Sequence, residues 1–183
     1  MLIVKIFCFL RIPYMLRYLN SIMDDCYRYE LKQKNINVNF YEQGQGGLRI
    51  TGDLSKFSID ATSHLKSNTF IECSGGVTIG RYFHTGRGLT IFSTNHNYQS
   101  EHAIPYDSTD LPRPVIIDDF VWCGSNVTIV PGVKVGEGAV LGSGAVITKD
   151  VPPHAVVGGN PAIVIKYRNV ELFNKLKNES KFY

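Results

Sequence analysis

The sequence lacks the features of a disulfide-rich scaffold and of a nucleic-acid-binding protein, and it has no densely charged tail. Its four cysteines are widely spaced and none stands in a CxxC pair, so neither a zinc ribbon nor a redox motif is indicated. The net charge is only +3 and no dense basic block occurs, so no nucleic-acid partner is expected. With 183 residues, 44% of them hydrophobic, the chain is long and apolar enough for one sizeable core.

The N-terminal segment also lacks an uninterrupted apolar run. Residues 1–19 read MLIVKIFCFLRIPYMLRYL, and Lys5, Arg11 and Arg17 break any stretch long enough to span a bilayer. No small-residue cleavage site follows, so a signal peptide is not indicated. We favour a helix packed on the main domain or on another subunit. The alternative is a basic, apolar helix in peripheral contact with the inner face of the membrane. Scattered cysteines favour free thiols, and hence a cytoplasmic protein.

Apolar residues instead recur every six positions in the C-terminal half. Steps of six give one row, namely Ile117, Cys123, Ile129, Val135, Leu141 and Ile147. A second row follows four residues later, namely Val121, Val127, Val133, Ala139, Ala145 and Val151. An α-helix would repeat near 3.6 residues and a plain strand near 2, so neither fits. The period predicts an all-β protein, in which short strands stack coil upon coil into a parallel β-helix.

The same period is weaker upstream, where it is carried by Ile59, Leu65, Ile71, Val77, Phe83 and Leu89. Ile91, two positions after Leu89, is the upstream counterpart of Ile117. The two blocks are out of phase, because Ile91 and Ile117 are 26 positions apart and 26 is not a multiple of six. Residues 97–116 (NYQSEHAIPYDSTDLPRPVI) are therefore predicted to be a protruding insertion of 20, polar and proline-containing as a surface loop should be. We expect an N-terminal helical or flanking segment over 1–45, the β-helix over 46–168, and a C-terminal helix within 169–183.

Two segments resemble the hexapeptide-repeat acetyltransferases. Residues 121–162 (VWCGSNVTIVPGVKVGEGAVLGSGAVITKDVPPHAVVGGNPA) resemble the C-terminal coils of that family, and residues 77–96 (VTIGRYFHTGRGLTIFSTNH) extend the likeness. Within the family, they resemble sugar O-acetyltransferases of the galactoside, maltose and surface-polysaccharide type. The resemblance implies a left-handed β-helix with three hexads per coil. It also implies a homotrimer that binds acetyl-CoA between subunits and needs no metal. Residues 1–50 show no such resemblance.

The resemblance also places a catalytic base. Transfer of an acetyl group to a hydroxyl needs a base, and histidine, with an ordinary pKa near ~6.5, is the natural choice. Of the five histidines, His96 stands where the family places its base, directly before the insertion. Trp122, the only tryptophan, either donates its indole N–H to the oxyanion or forms a hydrophobic wall.

The expected cofactor residues follow from the coil length and from the family. With three hexads per coil, Ser125, Ser143 and Pro161 should stack along one edge. Ile163 stands where galactoside acetyltransferases have an arginine, so Arg168 or a partner subunit is expected to supply that charge. The acetyl-CoA candidates are Ser125, Gly142, Ser143, Gly144, Thr148, Lys149, Pro161, Lys166 and Arg168.

The acceptor, a sugar or polysaccharide, is less sharply indicated. Lys66 and Ser74 replace the asparagine and aspartate that bind sugar in galactoside acetyltransferases, so a simple galactoside is not expected. The residues that flank the base and could shape an acceptor site are Tyr82, His84, Arg87, Asn97, Tyr98 and Asp107.

Other functions remain open at this point. Within the fold, an amino-sugar N-acetyltransferase or a serine-type acetyltransferase would use the same base. A γ-type carbonic anhydrase would use His84, His96 and His102 as zinc ligands, although those enzymes lack the TKDVPP and GNPA sequences seen here. A non-catalytic β-helix scaffold is the last alternative, and the retained base and cofactor edge argue against it.

Overall fold

The computed structural model describes residues 1–183, with the side chain of Leu2 excepted. Contacts divide the chain into two compact units, Met1–Asn37 and Val38–Tyr183. This boundary precedes the one predicted at residue 45, because strand β1 (Asn39–Tyr41) already pairs in parallel with a strand of the second unit.

The first unit consists of helices α1 (Leu2–Phe9) and α2 (Ile12–Gln33). Arg11 separates them with a left-handed backbone (φ 53°). Pro13 stands in the first turn of α2, where a missing N–H costs no intrahelical hydrogen bond. Among the described residues, no helix is both long and apolar enough to cross a membrane.

The second unit consists of short strands arranged in three mostly parallel sheets, here called faces A, B and C. Face A contains β1, β4 (His64–Lys66), β7 (His84–Thr85), β12 (Trp122–Cys123), β15 (Val140–Leu141), β17 (Ala155–Gly159) and β18 (Ala162–Tyr167). Face B contains β2 (Leu48–Thr51), β5 (Thr69–Glu72), β8 (Thr90–Phe92), β13 (Thr128–Ile129) and β16 (Val146–Ile147). Face C contains β3 (Phe57–Ile59), β6 (Val77–Ile79), β11 (Val115–Ile117) and β14 (Lys134–Val135).

The remaining elements lie outside the three faces. A 3₁₀ turn covers Leu54–Lys56, and β9 (Thr94–His96) pairs with β10 (Asp110–Pro112) as an antiparallel hairpin. The predicted C-terminal helix is α3 (Val170–Asn178), whose first turn is capped by the Asn169 side chain accepting from the Leu172 N–H.

The chain visits faces A, B and C in turn, and each strand pairs in parallel with the strand one coil later. This repeating order builds a three-sided β-helix, and it fits the left-handed parallel β-helix predicted from the hexads. The exception is β18, which turns back antiparallel on β17 and ends face A.

Coil length varies along the β-helix. Trp122 pairs with Val140, exactly three hexads further along the chain, as predicted. His64 pairs with His84, so that coil is longer by two positions. His84 then pairs with Trp122, and 122 minus 84 is 38, which is three hexads plus a further 20. Counted against the following coil of 18 residues, the insertion has the predicted length of 20, and counted against the preceding coil of 20 residues it has 18. Its predicted end at residue 116 is wrong, because Val115 and Ile116 already form β11.

The predicted inward rows form the core. All six members of the row from Ile117 to Ile147 are at most 1% exposed, and the companion row from Val121 to Val151 is buried as well. Upstream, Leu65, Ile71, Val77, Phe83 and Leu89 are fully buried, as predicted, whereas Ile59, the first member of that row, is only partly buried. Each coil thus buries its apolar side chains against the coils before and after it.

Polar residues explain why the first coils look irregular in sequence. Ser63, Ser67, Thr69, Thr85 and Ser93 are also buried, and each has a hydrogen bond to backbone. The Ser63 hydroxyl donates to the Gly80 carbonyl at 2.6 Å, for example. A buried hydroxyl with such a partner avoids the desolvation cost that would otherwise exclude it from the core.

The two extra positions of the earlier coil lie at the corner between faces B and C. Ile71 and Ile79 there are eight positions apart, whereas the matching Ile129 and Val135 are six apart. The Glu72 carboxylate fills this corner, where it accepts hydrogen bonds from the N–H groups of Ser74 and Ser93 and from the Thr94 hydroxyl. Partial burial pushes the pKa of Glu72 up, but these hydrogen bonds outweigh burial and lower it to about 2.

Glu72→Gln should lower the free energy of unfolding by about 1–3 kcal/mol at neutral pH, because a charged acceptor of several hydrogen bonds is lost. The folded-state pKa of Glu72, about 2, lies below the ordinary value of 4.5. The carboxylate therefore contributes stability that is present above the ordinary pKa and is lost as the pH falls towards about 2. Urea unfolding between about pH 7 and pH 3, at fixed protein concentration, should show a flatter acid limb in the variant. Glu101→Gln in the exposed loop is the control. Equal acid limbs in wild type and Glu72→Gln would contradict the assignment.

Candidate active site

His96 is the last residue of β9, where the loop of the hairpin begins, and it lies directly opposite Asp110 in the antiparallel register. The His96 Nδ1 atom is 3.2 Å from Asp110 Oδ1. A carboxylate this close to Nδ1 attracts a proton on that nitrogen and so favours the tautomer in which Nε2 is free to take one. More than half of the His96 side chain is exposed, so the ring is accessible from solvent.

The loop between β9 and β10 supports this imidazole. The Tyr106 ring stacks on the His96 ring at 4.2 Å between centroids, with 7° between their planes. The Asn97 amide donates to the Asp107 carboxylate at 2.8 Å. Hydrogen bonds from Ser100 and Thr109 lower the pKa of Asp107 to about 2, so Asp107 stays charged and organises the loop. Tyr98 projects into solvent from the same loop.

Asp110 and Tyr106 are functional candidates that the sequence analysis missed. Glu101, Asp107 and Asp110 are the carboxylates of the insertion, so the sequence narrows an orienting partner for His96 to three residues. The choice among them requires the hairpin register, which pairs Asp110 with His96 and Leu111 with Asn95. Nothing in the hexad period predicts an antiparallel hairpin at this corner.

Face A carries a second group of predicted residues around a large cleft. A volume of about 1520 Å³ is lined by side chains that include Tyr82, His84, Trp122, Lys166 and Arg168. Trp122 pairs with His84 in the strand register, and His84 pairs with His64. The His64 and His84 rings are 4.1 Å apart between centroids, and the Trp122 side chain is 54% exposed.

The electrostatics of this cleft favour neutral rings beside a few cations. Burial, with the neighbouring His84 and Lys66 charges, lowers the pKa of His64 to about 4. Burial and Lys66 also lower the pKa of His84. Arg168 has a pKa lowered by burial, and its guanidinium lies 6.0 Å from the centre of the Phe173 ring. Among the described residues, the Arg168 Nε atom is buried without a hydrogen-bond partner.

The corner between faces A and B holds the predicted serine edge. The Ser125 N–H donates to the Ser143 hydroxyl at 3.2 Å, and the Gly144 N–H donates to the Ser125 carbonyl at 2.8 Å, so these two serines stack as predicted. Gly124 permits this approach, since a Cβ there would lie 2.6 Å from Ser143 N. Arg87 and Gly142 belong to the same corner of their coils.

The stacking predicted for Pro161 is wrong. Leu141 pairs with Val157, two positions short of three full hexads, so Gly159 follows Ser143 along the edge. The two missing positions lie between faces B and C of the last coil. Ile129 still pairs with Ile147, three full hexads later, whereas Val135 bridges to Val151, two positions short of three hexads. Pro161 instead forms the exposed turn between β17 and β18.

Thr148 and Lys149 lie at the corner between faces B and C, the corner from which the hairpin also projects. They line a hollow of about 430 Å³ together with Arg113 and Lys134. Arg113 and Lys134 were missed because they come from other coils and meet Lys149 only through the strand register. Asp150 also lines the hollow, and Lys134 Nζ is 3.7 Å from Asp118 Oδ2, so the three cations outnumber the nearby carboxylates by one, which suits a phosphate group.

The residues predicted to form the active site therefore do not lie together within one chain. His96 lies at the corner between faces B and C, whereas Trp122 projects from face A on the opposite side of the β-helix. Ser125 and Ser143 occupy a third location, the corner between faces A and B. His84, His96 and His102 likewise do not converge, and the described residues contain no group of three or more His, Cys, Asp or Glu suited to a metal ion.

Comparison with known proteins identifies relatives of this chain. The family model "Bacterial transferase hexapeptide (six repeats)" matches residues 114–149. WbbJ of Escherichia coli K12, assigned to lipopolysaccharide biosynthesis as an O-acetyl transferase, is 31% identical over 147 residues, which cover 74% of each chain. A chloramphenicol acetyltransferase of Klebsiella aerogenes is 55% identical over 106 residues, or 49% of this chain and 50% of that one.

A solved structure supports the fold. A hexapeptide-repeat acetyltransferase of Vibrio cholerae, in complex with acetyl-CoA, superposes with a TM-score of 0.64 at 23% identity, covering 84% of this chain and 87% of that one. The six-residue period, the three-sided β-helix and the long match to WbbJ agree with one another. The chain belongs to the hexapeptide-repeat family of bacterial acetyltransferases.

Proposed function

We propose that this protein transfers the acetyl group of acetyl-CoA to a hydroxyl of a sugar, in a surface polysaccharide or its precursor. The observation that carries the proposal is the His96–Asp110 pair, an exposed imidazole beside a carboxylate where the loop of the hairpin begins. The name of WbbJ supports a saccharide acceptor, and family membership supports acetyl transfer.

The chemistry requires one base and one oxyanion donor. His96 Nε2 takes the proton of the acceptor hydroxyl while the oxygen of that hydroxyl attacks the carbonyl carbon of the thioester. The resulting imidazolium is stabilised by the Asp110 carboxylate. When the tetrahedral intermediate collapses, the C–S bond breaks and the thiolate takes the proton back from His96, so that the ester and the free thiol leave and the base is regenerated. The Trp122 indole N–H is a candidate donor to the oxyanion.

Acetyl-CoA binding draws on two edges of the β-helix. The exposed backbone at Ser143 and Gly144, next to Ser125, can accept an extended pantetheine arm, because small residues let the chain approach closely. The hollow lined by Arg113, Lys134 and Lys149 suits the phosphates. Lys166 and Arg168, at the end of face A, are further cations for the same ligand.

The separation of these groups within one chain supports a homotrimer. Face A of one subunit would meet the hairpin corner of the next, which brings Trp122 of one chain to His96 of another. Three identical contacts of this kind close into a ring, and each ring holds three equivalent sites. No single chain needs to supply both the base and the face-A cleft.

The face-A cleft is suited to a saccharide. The outward row His64, His84 and Trp122 presents two imidazoles and an indole side by side, and burial favours the neutral form of both imidazoles by lowering the pKa of each. Flat aromatic surfaces pack against the apolar faces of sugar rings, while Lys66 and Lys166 can contact hydroxyl or phosphate groups.

The acceptor class is tested by the release of free thiol from acetyl-CoA with a panel of acceptors. Saccharides, sugar nucleotides and oligosaccharides should support faster release than chloramphenicol. A chloramphenicol-type aromatic alcohol is the second candidate, because of the 55% identity over half of the chain. Faster release with chloramphenicol than with every saccharide would transfer the proposal to that class.

His96→Ala should lower kcat by a factor on the order of 10²–10⁴, with little change in the KM for acetyl-CoA, because the base acts only in the chemical step. Asp110→Asn keeps the side-chain shape but removes the charge, and it should cost at least about tenfold, less than His96→Ala. His102→Ala in the same loop is the matched control and should stay near wild type. A folded His96→Ala protein with normal turnover would refute the assignment.

The shared site should be visible by complementation. Light scattering should give a mass of three times 20.5 kDa. Trp122→Ala and His96→Ala should each be inactive, and co-expression should restore activity at about a quarter of the sites (1/2 × 1/2), those with an intact His96 from one chain and an intact Trp122 from the next. A lack of recovery, a fully active Trp122→Ala protein or an active monomer would each contradict the shared site.

A further inference from the structure

Helix α2 carries an exposed apolar stripe that the β-helix chemistry does not use. At 100° per residue, one side of the helix collects Ile12, Met15, Leu16, Leu19, Ile22, Met23 and Cys26. The five of these from Met15 to Met23 are 41–59% exposed. Arg17, Ser21, Asp24 and Arg28 project from the opposite side. The helix is therefore amphipathic with its apolar side uncovered in the single chain.

Helix α1 adds apolar surface of a different kind. Its described apolar residues are Ile3, Val4, Ile6 and Phe7, with Phe9 at its end, and all of them are exposed. These positions are distributed around the helix rather than along one side, so a single flat protein partner would cover only part of them.

The charge of this segment has one sign. Residues 1–23 contain Lys5, Arg11 and Arg17 and no aspartate or glutamate, since the first acid is Asp24. Tyr18 is exposed beside the apolar stripe, and tyrosine is an amphipathic residue that suits a boundary between water and lipid. Cations next to apolar and aromatic side chains are complementary to a surface of anionic headgroups over acyl chains.

We propose that residues 1–23 form a membrane-surface anchor, which binds the plane of an anionic phospholipid bilayer with α1 and the apolar stripe of α2 facing the acyl chains. The absence of a membrane-spanning helix among the described residues agrees with an anchor that lies on the surface. Packing between copies of the chain is the rival occupant of the stripe. The distribution of apolar residues around α1 and the uniform positive charge favour lipid.

Vesicle binding of the full chain tests this anchor. The protein should co-sediment with mixed phosphatidylcholine–phosphatidylglycerol vesicles and much less with pure phosphatidylcholine vesicles, and high salt should weaken the binding. The triple variant Lys5→Glu, Arg11→Glu, Arg17→Glu should bind weaker by a factor on the order of 10². The variant Leu16→Glu, Leu19→Glu should lose binding while circular dichroism shows the same helix content.

A charge-matched control separates the anchor from general electrostatics. The variant Lys32→Glu, Lys34→Glu, Lys175→Glu changes the net charge equally at exposed positions outside residues 1–23, and it should bind within about twofold of wild type. Turnover on a soluble acceptor should be unchanged in every variant, so this test is independent of the proposed reaction. Failure of wild type to bind, equal binding to neutral vesicles, or an equal loss in the control would overturn the anchor. A loss of oligomer mass in Leu16→Glu, Leu19→Glu, without vesicle binding by wild type, would assign the stripe to subunit packing.

Discussion

The stacking of each inward side chain on the equivalent side chain of the next coil is the interaction on which the rest of the structure depends. Ile91, Ile129 and Ile147 lie one above another on face B, fully or almost fully buried, and the strand register follows from them. Burial of one such side chain stabilises the fold by about 1.5–3 kcal/mol. Outward side chains take no part in this stacking between neighbouring coils, so outward positions are free to vary. The proposed functional residues are all outward.

This constraint also explains why the candidate site is divided. A three-sided β-helix presents its outward side chains in three directions, so a base at one corner and an indole on the opposite face cannot meet within a chain. Such a fold can build a concave site only from the hairpin, from the face-A cleft or between subunits. The proposed arrangement uses all three, with the His96 hairpin as the element that reaches across.

The sequence predicts the regular parts of this molecule and fails where the register changes. The row from Ile117 to Ile147 is predictable because every inward position is apolar. The first coils are harder to interpret because Ser67 and Thr85 satisfy inward positions through backbone hydrogen bonds. The Pro161 stacking fails by two positions because the last coil is shorter, a difference that hydrophobicity does not reveal. The His96–Asp110 pair and the Arg113–Lys134–Lys149 hollow need strand pairing, whereas the histidine itself follows from a motif.

The offset between β7 and β12 has an evolutionary consequence. The inserted segment leaves and re-enters the β-helix without shifting the alignment of the coils on either side, since Cys123 still lies over Thr85. The hairpin is in this sense a self-contained insertion. Its length and composition can change while the strands above and below keep their partners. A lineage that exchanged this one excursion would replace Asp110, which lies opposite His96, and Arg113 of the hollow, whereas the stacked Ser125 and Ser143 lie outside the excursion and would be kept.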